Sequence, residues 1–296
     1  MRLPTQGAYN APEIAARREK PITKPLALHH LPRIQEVLGQ VPAGLLTDID
    51  GTIAPIAPTP DEAQVSPLCR GALRTLASRL ALVAAISGRD VLRARELVAI
   101  DDVVYVGNHG LERWQDGRRE VAEEAKGYAA AIRQLVEELR HRLNVPGIVL
   151  EGKGVTASVH YRLTAEPREA RDAIFRCLND IPEARGLLLT EGRLVVEVRP
   201  PVGVDKGTSL ERLVTENGLK GVVFMGDDVT DVAAFRALHS LSSQGRCLGL
   251  ALGVLGPDTP SEVEQEADLL LRGVPEVEEL LQRIVGTRPD APAAGR

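Results

Sequence analysis

Apolar positions divide the first part of the chain into stretches of strand character and stretches of helix character. Residues 43–50, 80–90 and 102–112 each contain a short apolar run, which predicts a buried strand. Residues 66–79 begin with a serine N-cap and residues 91–100 follow, and both have apolar positions three and four apart, which predicts helices. Apolar strands that alternate with helices predict a parallel sheet covered on both faces.

The pattern changes between about residues 114 and 200. Residues 119–143 predict a long amphipathic helix, and residues 167–180 predict a second helix. Strands are predicted in quick succession at 147–154, 155–163, 186–193 and 194–201. Apolar and polar positions alternate in two of these strands, which is typical of an antiparallel sheet with one solvated face. This region is therefore predicted to be a small α+β insert.

Parallel α/β character resumes after the insert, so the insert interrupts one core domain. The predicted elements are a helix at 205–218, a strand at 221–228, a helix at 231–238, a strand at 247–253 and a helix at 275–285. We therefore expect an α/β fold with a Rossmann-like core, a parallel sheet and an inserted α+β cap domain. The expected divisions are a partly disordered lead-in at 1–40, a core at 41–112 and 201–286, a cap at 113–200 and a flexible tail at 287–296.

Composition narrows the class of protein. The chain of 296 residues has a formal net charge of −5 with interspersed charges and only 3% aromatic residues, so it has no footprint for nucleic acid. Its three cysteines lie far apart, which favours reduced thiols in the cytoplasm over a disulfide scaffold or a zinc knuckle. No secretory signal and no long apolar segment is present, so we expect a cytoplasmic protein without membrane partners.

Two aspartates, Asp48 and Asp50, end the first core strand in the sequence DIDGT. Carboxylates this close repel each other, so that one needs a proton or both need a cation. Asp48 is placed to act as a nucleophile that forms an aspartyl-phosphate. Asp50 can protonate the leaving oxygen and later deprotonate the attacking water, and we expect its charged neighbour and partial burial to favour that proton. The alternative is a turn with Asx hydrogen bonds before Gly51.

Two further groups can hold a phosphoryl group. Ser87, Gly88 and Arg89 end the second strand, where a hydroxyl and backbone N–H groups can bind a phosphoryl oxygen. The alternative is an ordinary helix cap. Lys206 opens a helix after the insert and can neutralise the phosphoryl group and the nucleophile, although a surface lysine is the alternative.

The fourth group contains Asp227, Asp228 and Asp231, which follow the strand at 221–228. Clustered carboxylates at a strand end bind hard cations, and Mg²⁺ suits one or two carboxylates together with phosphate and water. The alternative is an acidic N-cap that complements the helix dipole. Capping would explain one or two of these aspartates, but not all three.

The order of these motifs, DxDGT, serine, lysine and GDDxxxD, resembles the haloacid dehalogenase superfamily of phosphatases over residues 44 to about 285. The resemblance implies that Asp48 is the nucleophile and Asp50 the acid/base. It implies that Ser87 and Lys206 hold the transferring phosphoryl group. The implied Mg²⁺ ligands are the Asp48 carboxylate, the Asp50 backbone carbonyl and the Asp227 carboxylate, with Asp228 and Asp231 beside them.

Polar residues among the strands of the insert bear on the substrate. They are Glu151, Lys153, His160, Arg162, Glu191 and Glu197. Such donors and acceptors suit carbohydrate hydroxyls, and lysine and arginine also assist with phosphate. The alternative for each residue is a solvated strand face, and His160 can simply pack beside Tyr161.

The segments SGR, GNHGLE, HYR, EVRPPVGVDKG and GDDVTD are similar to those of trehalose-6-phosphate phosphatases, a branch with a C2-type cap. This resemblance implies Mg²⁺-dependent hydrolysis of trehalose 6-phosphate and functional pairing with a trehalose-phosphate synthase. It adds Thr52, Asn108 and His109 to the substrate-binding candidates. One departure is that Val232 and Ala233 stand where the family commonly has two acidic residues. The alternatives are a phosphatase for another glycosyl phosphate, such as sucrose 6-phosphate or a glycosylglycerate phosphate, and a non-catalytic sugar-phosphate sensor.

Overall fold

Two sheets organise the residues that the computed structural model describes, 24–192 and 194–287. The strands of the first part are β1 (Ala43–Thr47), β2 (Leu82–Ile86), β3 (Val104–Gly107), β4 (Glu112–Gln115) and β5 (Arg118–Val121). The strands of the middle part are β6 (Val149–Gly152), β7 (Ala157–His160), β8 (Leu188–Gly192) and β9 (Val195–Arg199). The last strands are β10 (Gly221–Gly226), β11 (Leu248–Leu255) and β12 (Leu269–Arg272).

The larger sheet has the strand order β12-β11-β10-β1-β2-β3-β4-β5. It is parallel from β12 to β3, and β4 and β5 extend it as an antiparallel hairpin. The smaller sheet is antiparallel, in the order β6-β7-β9-β8. The predicted α/β class, with a mostly parallel core sheet and an inserted α+β unit, is confirmed.

Helices cover both sheets. Those of the first half are α1 (Leu31–Gly39), α2 (Pro67–Ala77), α3 (Val91–Val98), α4 (Glu123–Lys126) and α5 (Ala129–Arg142). Those of the second half are α6 (Pro167–Asp180), α7 (Lys206–Glu216), α8 (Val229–Ser243), α9 (Ser261–Glu266) and α10 (Gly273–Thr287). Separate apolar clusters lie on the two faces of the larger sheet, and a third lies between the smaller sheet and α5 and α6. Among the described residues, no helix is both long enough and apolar enough to cross a bilayer.

The central strands β10, β1 and β2 lie side by side and run in the same direction. Thr47 at the end of β1 pairs with Met225 of β10 and with Ala85 of β2. The residues that follow these strands therefore meet at the carboxyl edge of the sheet. In open α/β sheets, ligands bind at this edge where the strand order reverses.

The region predicted as the start of the cap helix forms a hairpin instead. Residues 118–121 are strand β5, and helix α5 does not begin until Ala129. Asp116 and Gly117 have φ angles of 51° and 75°, as a two-residue hairpin turn requires. Because β4 and β5 continue the larger sheet, part of the predicted cap at 113–200 belongs to that sheet; the other boundaries remain predictions.

The N-terminal lead-in is more ordered than predicted over its described part. Helix α1 buries Ile34, Val37 and Leu38, which are spaced three and four residues apart. Leu26 forms a bridge with Leu270 of β12, a strand that the sequence analysis did not predict, as it did not predict α9. Residues 1–23 and all but the first residue of the predicted tail lie outside the described residues.

One ion pair fastens α8 to the larger sheet. Asp268, just before β12, accepts hydrogen bonds from His239 of α8 at 3.1 Å and from the Ala251 backbone N–H at 2.8 Å. The hydrogen bond with Asp268 raises the pKa of His239 above its ordinary value of 6.5. Burial opposes ionisation of Asp268, but the bonds from His239 and Ala251 outweigh it and lower the pKa of Asp268.

We expect His239→Gln to destabilise the protein more at about pH 5.5 than at about pH 8.5. A histidine with a raised folded-state pKa stabilises the fold below its unfolded pKa, and this stability is lost as the pH rises through the folded pKa. The stability from Asp268 is lost only at low pH, as the pH falls through its lowered pKa. Urea unfolding at both pH values measures the difference.

Arg236→Gln is the matched control, because Arg236 joins α8 to Glu266 through an ion pair whose cation does not titrate in this range. Its effect should be the same at both pH values. An effect of His239→Gln that is equal at both, or larger at the higher value, would contradict the assignment.

Candidate active site

Three adjacent strand ends supply the centre of the site. Asp48 follows β1, Ser87 follows β2 and Asp227 follows β10, and all three are buried. The Asp48 backbone N–H donates to the Met225 carbonyl at 2.8 Å, and that of Ser87 donates to Val106 at 2.8 Å. These bonds continue the sheet ladders, so the strands themselves fix where the side chains begin.

A buried lysine joins the two halves of the chain at this edge. The Lys206 ammonium, at the start of α7, donates to Asp48 Oδ1 at 2.8 Å and to Asp231 Oδ1 at 2.7 Å. Lys206 is 2% exposed and Asp231 is fully buried. Gly207 lets α7 approach α8, because a Cβ there would lie 2.6 Å from the Ala233 carbonyl oxygen.

The charges of this group are unbalanced. Burial raises the pKa of Asp48 well above its usual value, Lys206 opposes this, and Asp231 and Asp227 raise it further. Burial opposes the charge of Lys206, yet Asp231 and Asp48 outweigh it and raise its pKa. The two shifts agree physically, because a single ammonium is shared by more carboxylates than it can neutralise.

Asp231 acts as an anchor within the protein. One carboxylate oxygen accepts from Lys206, and the other accepts the backbone N–H groups of Asp227 and Asp228 at 3.0 Å each. Gly226 makes room for it, since a Cβ there would lie 2.4 Å from the carboxyl carbon. Asp228 caps α8 by accepting from the Val229 N–H at 2.8 Å. Capping thus explains Asp228 and Asp231, but not Asp227.

The acidic group suits a divalent cation. One carboxylate oxygen from each of Asp48, Asp227 and Asp231 lies within 4.8 Å of the others. If all three are ionised, they carry two negative charges more than Lys206 neutralises. Hard oxygen donors with that surplus fit Mg²⁺. Both carboxylate oxygens of Asp231 accept hydrogen bonds from protein groups that hold the strand ends together, which makes Asp231 a poorly available ligand.

Gly51 and Thr52 hold the acidic group together. Thr52 Oγ1 donates to Asp227 Oδ1 at 3.2 Å, so this residue contacts the candidate metal ligand, and its predicted role in substrate binding stays a prediction. Gly51 has a φ of +86°, and a Cβ at this position would lie 2.1 Å from Asp227 Oδ2. Only glycine allows the loop after β1 to approach Asp227 this closely.

Asp50 is held by Arg89. The guanidinium donates through Nε and Nη2 to the two carboxylate oxygens, at 2.7 Å each, and through Nη1 to the Pro60 carbonyl at 2.9 Å. A bidentate guanidinium fixes the orientation of a carboxylate as well as its position. The structure thus shows Arg89 holding both carboxylate oxygens of Asp50, and the expectation that the surroundings of Asp50 favour a proton stays a prediction.

The loop after β2 packs against a neutral histidine. Gly88 lies against the His109 ring, where a Cβ would be 2.6 Å from two ring atoms. Burial and the charges of Arg199, Lys206 and Lys153 lower the pKa of His109 well below its usual value, so its imidazole is neutral. Its Nδ1 is buried and has no hydrogen-bond partner among the described residues.

The smaller sheet presents a polar face to these strand ends. Glu151 of β6 bonds to His160 of β7 at 3.1 Å, and Glu197 of β9 accepts from Ser158 at 2.8 Å. The Lys153 ammonium lies 3.4 Å from Glu197 and 3.8 Å from Glu151. Burial opposes ionisation of Glu151, but His160 and Lys153 outweigh it and lower its pKa to about 2.

Two predicted substrate-binding residues, Glu191 and Asn108, bond to protein groups, and their contact with a substrate stays a prediction. The Glu191 carboxylate accepts two hydrogen bonds of 2.6 Å from Arg171 of α6, because β8 turns this side chain toward the helices. Glu191 nevertheless lines the cavity described below. Asn108 is fully buried, and its amide bonds to Lys153 and Thr156.

The structure adds Thr190 and Arg199, which the sequence analysis missed. Thr190 pairs with Glu197 across the two strands, and Arg199 lies two residues further along β9, so all three share the polar face. Burial lowers the pKa of Arg199, and its Nε has no hydrogen-bond partner among the described residues. Apolar and polar positions alternate in the sequence LVVEVRP, and this alternation could have predicted that Arg199 shares a face with Glu197.

Most of these side chains line one cavity of about 330 Å³ between the two sheets. Every predicted site residue lines it except Thr52, Asn108 and Asp231. Arg162 also lines it and donates to the Ala57 carbonyl at 3.1 Å, across to the core loop. The cavity is lined by carboxylates at the strand ends and by both carboxylates and cations on the face of the smaller sheet. This lining suits a ligand with a phosphoryl group and many hydroxyls.

Comparisons with known proteins bear on the family of this chain. The family model described as trehalose-phosphatase matches residues 46–250. A trehalose-phosphate phosphatase from Mycobacterium tuberculosis is 32% identical over 263 residues. That alignment covers 84% of this chain and 66% of the relative, so the chain spans slightly less than two thirds of the relative's own length.

Solved structures show the same fold. The C-terminal domain of a trehalose-6-phosphate phosphatase from C. albicans has a TM-score of 0.73 and 21% identity, covering 90% of this chain and 99% of that chain. A haloacid dehalogenase-like hydrolase from Bacteroides thetaiotaomicron has a TM-score of 0.58 and 14% identity, covering 82% and 99%. The fold is therefore that of the haloacid dehalogenase-like hydrolases.

We expect Gly51→Ala to remove divalent-cation binding, because the new Cβ would overlap the Asp227 carboxylate. In the wild type, Mg²⁺ at 100 times its Kd should raise the free energy of unfolding by about 2.7 kcal/mol. In Gly51→Ala this increase should disappear. Urea unfolding with and without Mg²⁺ measures both values.

Gly186→Ala is the matched control, since Gly186 has a similar φ of +81° but no atom near its would-be Cβ. It should lose about 1 kcal/mol through backbone strain and keep the full Mg²⁺ effect. Equal responses to Mg²⁺ in the two variants would contradict a metal site beside Gly51.

Proposed function

The chain belongs to the trehalose-phosphatase family, and from this premise we propose that it is a Mg²⁺-dependent phosphatase that hydrolyses trehalose 6-phosphate to trehalose and phosphate. The observation that carries the proposal is the buried group of Asp48, Asp227 and Lys206, which faces a cavity large enough for a ligand. A nucleophile, an acidic cation site and an ammonium in one group are the parts that phosphoryl transfer to a carboxylate requires.

The proposed reaction proceeds in two displacements at phosphorus. Asp48 attacks the phosphorus atom, a bond forms from its carboxylate oxygen, and the bond from phosphorus to the sugar oxygen breaks. Asp50, once parted from Arg89, gives its proton to that sugar oxygen. A water then attacks the phosphorus, its proton returns to Asp50, and the bond to Asp48 breaks to release phosphate.

The chain's own residues hold the phosphoryl group through this sequence. The Lys206 ammonium beside Asp48 and the Ser87 hydroxyl at the next strand end both face the cavity. A Mg²⁺ ion held by the Asp48 and Asp227 carboxylates would stabilise the charge of the phosphoryl oxygens. The Asp50 backbone carbonyl completes the proposed ligand set, with Asp228 and Asp231 beside it.

The smaller sheet, with α5 and α6, is proposed as a cap that binds the sugar. Its polar face supplies Glu151, Lys153, His160 and Glu197, with Thr190 and Arg199 added by the structure. Carboxylates and cations that alternate over this face can pair with the hydroxyls of a disaccharide. Closure of such a cap would exclude bulk water from the reaction.

The cellular setting follows from the proposed substrate. A trehalose-phosphate synthase would supply trehalose 6-phosphate, so we infer functional pairing with such an enzyme. The three cysteines, Cys69, Cys177 and Cys247, are free thiols. Free thiols support a reducing compartment, which we propose is the cytoplasm.

We expect Asp48→Asn to lower kcat by at least about 10³-fold, because the amide cannot act as the nucleophile. Asp116→Asn makes the same chemical change in an exposed hairpin turn and should leave kcat unchanged. Phosphate release measures both, with circular dichroism as a check of folding. Retained turnover in a folded Asp48→Asn variant would contradict the proposed nucleophile.

We expect kcat/KM for trehalose 6-phosphate to exceed that for sucrose 6-phosphate and glucose 6-phosphate by at least about tenfold. The polar cap face can contact both rings of a disaccharide, and glucose 6-phosphate has no second ring. Sucrose 6-phosphate has a fructofuranose as one of its two rings, so its hydroxyls lie in different positions against the same polar groups. Excess EDTA should stop the reaction, and Mg²⁺ should restore it. Preference for another glycosyl phosphate would contradict the substrate, and binding without turnover would indicate a sensor.

A further inference from the structure

We propose that Asn108 and Thr156 form a joint between core and cap. This joint positions Lys153 at the proposed phosphate-binding loop, residues 87–89. The inference rests on the proposed function, because it assigns these two residues to the site of that reaction. Neither residue contacts the substrate in this proposal. They are positioning residues, and they act through Lys153.

Both the nitrogen and the oxygen of the Asn108 amide are bonded in this joint. Its Nδ2 donates to the Lys153 carbonyl at 2.9 Å, and its Oδ1 accepts from the Thr156 hydroxyl at 2.6 Å. The residue is fully buried and has a φ of 50°, a left-handed conformation that asparagine tolerates better than most residues. The side chain is therefore fixed at both ends.

The backbone around Asn108 is bonded to the phosphate-binding loop. The Asn108 N–H donates to the Arg89 carbonyl at 2.7 Å, and the His109 N–H donates to the Ser87 carbonyl at 3.0 Å. The joint is thus continuous with the loop at residues 87–89. A displacement of Asn108 would therefore move both the loop at residues 87–89 and Lys153 of the cap.

The cap contributes a tight turn at residues 153–156. The Lys153 N–H donates to the Thr156 carbonyl at 2.9 Å, and Gly154 has a φ of +77°. Val155, between the bonded residues, is buried in a small apolar cluster with Leu111. The turn is therefore anchored to the core by packing as well as by the Asn108 amide.

Lys153 crosses from this turn to the core. Its ammonium donates to the Gly88 carbonyl at 3.0 Å, and the residue is 5% exposed. A lysine side chain has many rotamers, so a fixed ammonium depends on what holds its backbone. Here the backbone carbonyl is held by Asn108 while the ammonium reaches Gly88, beside Ser87. The joint thereby sets a cation of the proposed sugar-binding face next to the loop at residues 87–89.

The first test is independent of activity. Amine labelling followed by mass spectrometry measures how accessible the Lys153 ammonium is in the whole protein. Thr156→Val keeps the shape of the side chain but removes the hydroxyl that donates a hydrogen bond to Asn108. The turn that carries Lys153 is then held less firmly, so the labelling rate of Lys153 should rise at least about tenfold. Thr156→Ser restores the hydroxyl and should restore protection.

Thr164→Val is the matched control, because Thr164 is a buried threonine of the same cap whose hydroxyl donates to the Tyr161 carbonyl at 2.8 Å. It loses a comparable hydrogen bond without touching the joint. Its Lys153 labelling rate should stay at the wild-type value. Unchanged labelling in Thr156→Val, or equal increases in both variants, would overturn the proposal whatever the activity of the enzyme.

The second test is kinetic. Thr156→Val should lower kcat/KM for trehalose 6-phosphate by about tenfold, but that for p-nitrophenyl phosphate by less than about twofold, because the aryl phosphate lacks the sugar. In a Lys153→Met background, Thr156→Val should have no further effect on either substrate. Equal losses on both substrates, or additive losses in the double variant, would overturn the joint. A wild type that hydrolyses only p-nitrophenyl phosphate, with Lys153 exposed by Thr156→Val, would contradict the proposed substrate alone.

Discussion

The site depends on one buried ammonium, that of Lys206, which lies near more carboxylates than it can neutralise. Lys206 bonds to Asp48 and Asp231, while Asp227 lies within 4.8 Å of both acids. Removing one partner of a buried ion pair costs about 3–5 kcal/mol of stability, because the other charge is left buried and unpaired. The arrangement persists because α7, α8, β1 and β10 are packed around it. The remaining negative charge is what a divalent ion would neutralise.

This constraint explains the small residues around the site. Gly51, Gly207 and Gly226 lie where a Cβ would overlap Asp227, the α8 backbone or Asp231. Each glycine lets one segment approach another closely enough for the charges to share a small volume. Asp231 completes the arrangement, since it holds Lys206 and the backbone of Asp227 together. The acidic group is therefore a property of four chain segments, not of the motif residues alone.

Much of the fold could be predicted because its signals are local. Apolar strands alternate with helices, and α6 occupies exactly its predicted residues, Pro167–Asp180. The hairpin at 112–121 was missed although Asp116-Gly117 is a strong turn signal, because the polar sequence that follows also has helical spacing. Helix α1 was missed although Ile34, Val37 and Leu38 have helical spacing.

The roles of individual polar residues were less predictable, since sequence spacing does not show which protein group each one finds. Thr52 and Asn108 belong to motifs, yet one bonds to Asp227 and the other to the cap turn. Glu191 and Thr190 are neighbours, and the register of β8 against β9 decides that Thr190 shares the face of Glu197. The sequence motif of Asp50 also did not show that a guanidinium from the next strand end holds both of its carboxylate oxygens.

The most direct test of the account is a crystal structure with Mg²⁺ and beryllium fluoride, an analogue of the phosphoryl group. The account predicts beryllium bonded to an Asp48 carboxylate oxygen and an ion about 2.0–2.1 Å from oxygens of Asp48 and Asp227. Asp231 should keep its bonds to Lys206 and to the backbone. An ion bound by Asp231 in place of Asp227, or a fluoride complex away from Asp48, would contradict it.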